Sequence, residues 1–177
     1  MKRFPLVVGF IAMACLLAIW PGTGLAQGGF ELVSGQAVVR AVPNDFYLEG
    51  NRIPVEKRYA VLLKNASGAR LVVANINTAG YSSQIKQKYT GMVITETKIS
   101  VCGTDLGVGS YGFGLERPAA PSTADATFRI YNQAGEKLGE CAAKRDDTIK
   151  QPTPLTVTAP PGGPVKVALG KYVIEIH

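Results

Sequence analysis

Histidine is nearly missing from this chain: the single one is His177, the last of 177 residues. A terminal residue is a poor seat for a general base, which argues against Ser-His-Asp and Cys-His catalysis. Tryptophan occurs once, at Trp20. The stretch beyond residue 26 therefore lacks the broad aromatic platform that many carbohydrate-binding sandwiches use, although seven tyrosines remain. Cysteine occurs three times, at Cys15, Cys102 and Cys141, with no histidine or second cysteine close by in a zinc spacing. Asp146-Asp147 lacks the Gly and terminal Glu of an EF-hand register. No run of like charges exceeds Lys144-Arg145, and no basic stripe interleaves with aromatics, so the composition argues against nucleic acid as a partner. No motif implies a metal or a cofactor.

What is present begins with a leader. Lys2 and Arg3 form a basic start, Phe4 to Trp20 carries no charge, and Pro21-Gly22-Thr23-Gly24 breaks the run. Gly24-Leu25-Ala26 places small residues at the −3 and −1 positions of a cleavage site. These three parts predict a signal peptide over residues 1–26, cleaved after Ala26, and a secreted or periplasmic product. A membrane anchor fits less well, because the run includes Pro5 and Gly9 and falls short of the ~20 apolar residues a span needs. Lipidation at Cys15 fits least, since Ala12 stands where a lipobox has Leu.

Removing 26 of 177 residues leaves 151, the size of one domain with a real core, and loss of Lys2 and Arg3 lowers the formal charge from +6 to +4. Residues 27–177 are thus predicted to be a single domain with no transmembrane span. Cys15 departs with the leader. Cys102 and Cys141 remain, and an even pair in an exported protein predicts a disulfide, with two separate buried thiols as the alternative. Closing a loop of that length would contribute roughly 4 kcal/mol at most.

The rest reads as strands and turns. Residues 27–34 look frayed, and Gln36–Val42 reads as a first strand. Phe46–Glu49 and Arg52–Glu56 flank Gly50-Asn51 as a hairpin, with Pro54 at an edge or bulge. Tyr59–Leu63 and Arg70–Ile76 flank a Lys64–Gly68 turn, and both are apolar on successive residues, which predicts central strands covered on both faces. Asn65-Ala66-Ser67 matches a glycosylation acceptor but falls where a turn already calls for Asn and Ser. Gln84–Tyr89 reads as a helical turn capped by Ser82 or Ser83, or as a polar edge strand; its lysines read as a solvated face.

Met92–Thr97 and Lys98–Cys102 follow as strands, then turns at Gly103-Thr104-Asp105 and Gly107-Val108-Gly109. In the strand Tyr111–Leu115, period two puts Tyr111, Phe113 and Leu115 on one face and Gly112 and Gly114 on the other. Bare glycines invite close packing by a neighbour. They do not lead into a helix, so they form no phosphate cradle. Thr127–Tyr131 and Glu136–Cys141 form another hairpin. Leu155–Thr158, Val165–Leu169 and Gly170–Ile176 close the chain.

Many short strands with Gly, Pro and Asn turns predict an all-β domain, an antiparallel β-sandwich or else a small closed barrel. The predicted function is a non-enzymatic exported module that binds an unknown protein or small ligand at the cell envelope, or is structural there. One alternative is a barrel carrying a small apolar ligand among Phe113, Tyr111 and Val73. The other is a hydrolase using two of Glu96, Asp105, Glu116, Asp146 and Asp147. No residue is assigned a catalytic, cofactor or metal role.

Overall fold

A computed structural model describes residues 29–119 and 122–177; the predicted signal peptide and its cleavage site lie outside the described residues. Of these, 51% are in strands and 8% in helices. In chain order the elements are β1 (Glu31–Val33), α1 (Gln36–Ala41), β2 (Asp45–Leu48), β3 (Asn51–Lys64), β4 (Arg70–Ile76), α2 (Ser83–Lys88), β5 (Gly91–Thr95), β6 (Ile99–Val101), β7 (Thr104–Leu106), β8 (Gly109–Glu116), β9 (Ala126–Tyr131), β10 (Lys137–Arg145), β11 (Thr156–Thr158), β12 (Val165–Leu169) and β13 (Tyr172–Ile176).

All pairings are antiparallel, in the order β1-β3-β4-β5-β8-β9-β10-β13-β12-β11. The result is a nearly closed, barrel-like sheet. β10 carries the chain round the bend: Lys137–Ala143 pair with β9, whereas Lys144 and Arg145 pair with β13. The β6–β7 hairpin joins β13 through Val101 opposite Ile176. Its tip reaches β10, where the Cys102 and Cys141 sulfurs stand at disulfide-bonding distance, 2.11 Å. The ladder runs without a break from β1 to β11, as in a barrel.

The successive apolar residues of β4 are explained by two cores. Leu71 and Val73 point inward to a cluster with Phe113, Phe128, Ile130 and Ile176. Val72 and Ala74 point outward, under a second cluster that β2, α1 and α2 lay over the sheet through Leu48, Ile85 and Tyr89. A strand buried on both faces has no polar face to alternate with. The bulge foreseen at Pro54 lies just after it, where the β3–β4 register shifts between Val55 and Ala60.

Several local expectations need correction. Gln36–Val42 is not a strand: α1 occupies it, closed by the Val42 N–H donating to Val38 O at 3.0 Å. It buries no residue fully, and Val38 and Ala41 rest on the outer cluster. As a helix the segment satisfies its backbone internally. Residues 31–33, expected to fray, form β1 against Leu62–Lys64. The first hairpin turns one residue earlier than read, at Glu49-Gly50, both with positive φ (50° and 74°). Thr104 and Asp105 belong to β7, the turn being Cys102-Gly103, and β10 runs past Cys141 to Arg145. α2 does form, capped by Ser82, whose Oγ accepts from the Ile85 N–H at 3.3 Å.

Candidate functional site

The glycine face of β8 determines where α2 sits. A Cβ at Gly112 would stand 2.8 Å from Leu48 Cδ2, and one at Gly114 would overlap the Lys88 carbonyl oxygen. Bare glycine therefore lets the C-terminal end of α2 lie directly on the sheet. The packing partner is a helix end and a leucine rather than a ligand. Beside this contact α2 and the outer face of β8 and β9 enclose an open groove of 650 Å³, lined by Gln84, Gln87, Lys88, Glu116, Arg129 and Tyr131.

One wall is a tight polar cluster. The Lys88 ammonium pairs with the Glu49 carboxylate, donates to the Gly135 carbonyl at 2.7 Å, and lies 4.9 Å from the Tyr131 ring and 5.2 Å from the Tyr89 ring. The Tyr89 hydroxyl donates to the same carboxylate at 2.6 Å, and the two tyrosine rings meet edge to face with centroids 5.3 Å apart. Hydrogen bonds from Lys88 and then Tyr89 hold the Glu49 carboxyl below its ordinary pKa. Burial, reinforced by the bond to Glu49, pushes the Tyr89 hydroxyl well above its ordinary value. The Glu49 N–H also donates to Gln133 O at 2.8 Å, so one residue ties the β2–β3 turn, the β9–β10 turn and α2 together.

The opposite wall is Arg129, whose guanidinium donates from Nε to Glu140 at 2.7 Å and pairs through Nη1 with Glu116 at 2.6 Å. These two carboxylates raise its pKa further. Glu140 also takes Lys137 at 3.1 Å. Three cations and three carboxylates thus stand in and around the groove, and all six are mutually paired.

A second cleft of 490 Å³ opens at the end of the barrel where β1, the β5–β6 link and the β11–β12 turn converge. Phe30, Ile99, Val165 and Ile176 line it together with Ser100 and the Lys98–Asp105 pair. Both members of that pair are mostly exposed, at 70% and 63%. His177 lies on its rim and is not frayed: its N–H donates to Ser100 O at 2.9 Å and its carbonyl accepts from Ser100 N–H.

The residues singled out from sequence scatter. Phe113 and Val73 are packed in the inner core, Phe113 stacked on Phe128 at 5.4 Å, and Tyr111 lies against its edge. Those inner positions are filled by side chains. The five carboxylates have separate duties: Glu96 pairs with Arg70, Asp105 with Lys98, Glu116 with Arg129, and Asp147 with Arg145 and Lys171. Asp146 accepts from the Thr148 N–H at 2.9 Å. Hydrogen bonds hold Glu96, Asp146 and Asp147 below the usual carboxylate range. Among the described residues no group of three or more His, Cys, Asp or Glu is placed to hold a metal ion, and no helix is long and apolar enough to cross a membrane. Sequence reading missed Gln84, Gln87, Lys88, Arg129 and Tyr131 as one site. The glycine face of β8 was the signal that something docks there.

Comparison with protein-family models, with curated proteins and with solved structures finds no match for this chain.

Proposed function

We propose that this chain is an exported, non-enzymatic β domain that serves as a binding or structural module of the cell envelope. The observation that carries the proposal is the α2 groove. Its charged side chains are all paired with one another, which suits holding a shape better than moving protons. A general acid in a carboxylate pair needs a raised pKa, and where carboxyl groups in this protein depart from their ordinary values they are lowered. The leader-like residues 1–26 and the facing cysteines support an oxidising, extracytoplasmic destination. The alternative of a small apolar ligand's carrier would have to use a cleft outside the inner core, since Phe113 and Val73 are enclosed by neighbours.

Native mass spectrometry of the chain recovered from the exported fraction tests this. The expected species begins at Gln27, is two hydrogens lighter than its reduced form, and brings with it an envelope component or none. A full-length chain confined to the cytosolic fraction would overturn the proposal. A retained lipid-like molecule would transfer it to the carrier alternative.

A further inference from the structure

We infer that the α2 groove binds a neutral polyhydroxylated ligand, a segment of an uncharged oligosaccharide; this rests on the reading of the chain as a binding module. The first argument is charge. Lys88, Arg129 and Lys137 are balanced by Glu49, Glu116 and Glu140. With the formal charges balanced, the groove has no net charge to favour an anionic or a cationic ligand over a neutral one.

The second argument is the set of hydrogen-bonding groups still unused. Gln84 and Gln87 lie three apart on exposed positions of α2, line the groove, and make no side-chain hydrogen bond among the described residues. Each offers two N–H donors and a carbonyl acceptor. Arg129 spends Nε and one Nη1 proton on its carboxylates and keeps its remaining N–H groups. Its plane is fixed by the two acids, so little conformational freedom is left to lose on binding. Tyr131 is 7% exposed and borders the groove, and its hydroxyl has no partner among the described residues. Planar amides, a planar guanidinium and a phenol, some donating and some accepting, match the paired donor and acceptor character of sugar hydroxyls.

The third argument separates sugar from peptide. A bound peptide draws affinity from apolar side chains in pockets, and no aliphatic side chain lines this groove. Its 650 Å³ falls within the range of small-ligand sites, roughly 300–1,000 Å³. The lack of tryptophan beyond residue 20 implies recognition by hydrogen bonds more than by stacking, hence modest affinity.

The test titrates the exported chain by heteronuclear NMR with maltotetraose, cellotetraose and chitotetraose, with tetragalacturonate as the charged control. Cosedimentation with insoluble cellulose and chitin distinguishes a polymer-held segment from a free sugar. The expected result is saturable binding of at least one neutral probe, with shifts at Gln84, Gln87 and Arg129. In the Gln84→Ala/Gln87→Ala variant affinity should fall roughly tenfold or more, with an unchanged melting curve because both positions are exposed. Arg129→Lys, which keeps the charge and loses the fork, should weaken binding too. Binding of tetragalacturonate alone, binding unaffected by the glutamine variant, or no response to any neutral probe would each overturn the inference. None of those outcomes touches the export measurement, which decides the envelope reading separately.

Discussion

Glu49 joins the β2–β3 turn, the β9–β10 turn and the end of α2, and the part of its stabilising effect carried by the carboxylate depends on being ionised. Because Lys88 and Tyr89 hold its pKa below the ordinary value, its contribution is fully present above the pH at which a free glutamate titrates, about 4.3. The contribution is lost as pH falls through the lower, folded-state value. We expect the urea midpoint to drop between pH 6 and pH 3, and to drop less in Glu49→Gln, which has no charge there to lose. Parallel pH dependences in the two proteins would show that the cluster adds nothing. Gly114 offers a second residue-scale test. Its Cβ would overlap the Lys88 backbone, and backbone cannot swing aside as a side chain can. Gly114→Ala should therefore cost about 1–3 kcal/mol in chemical denaturation; a variant as stable as the parent would mean that α2 moves freely. The bare face of β8 was legible from period two alone. What covers it was not, because Lys88 lies more than twenty residues earlier in the chain.

Among the elements, the β6–β7 hairpin is joined to its neighbours by a short pairing, Val101 with Ile176 and the reciprocal Ser100–His177 backbone hydrogen bonds, and by the Cys102–Cys141 pair. Ile99, Val101 and Leu106 are buried in the inner core. Reduction should therefore lower stability by roughly 4 kcal/mol at most while leaving a cooperative transition, read as the denaturant midpoint with and without reductant. Identical midpoints would mean that the cysteines are not bonded in solution. Assigning Cys15 to a leader left Cys102 and Cys141 as the expected partners, and their place in the fold required the barrel. α1 shows the opposite failure: Ala37-Val38-Val39 fits either helix or strand, and the segment is a helix that lays Val38 and Ala41 on the outer cluster. Nothing within residues 36–42 records the outer cluster that they cover.

At the scale of the whole molecule, β13 is the closing element. It pairs with β12 along Tyr172–Ile176, with β10 at Val173 and Tyr172, and with β6 at Ile176. A chain ending at Lys171 would lose all three ladders and the buried side chains of Tyr172, Ile174 and Ile176, and we expect it to be insoluble or to melt without cooperativity. A soluble, cooperatively melting truncation would contradict that.

Turn residues and apolar periodicity sufficed to determine an all-β antiparallel chain, its main hairpins and its glycine face. These are local properties, set by φ preferences and by which side of a strand is buried. Only the tertiary structure decided that the strands form one nearly closed, barrel-like sheet through β10, and that Gln84, Lys88, Glu116, Arg129 and Tyr131 share one groove. A burial pattern records that a face is covered and is silent about what covers it. Those contacts bring together elements from distant parts of the chain, and their position follows from the order in which whole strands pair.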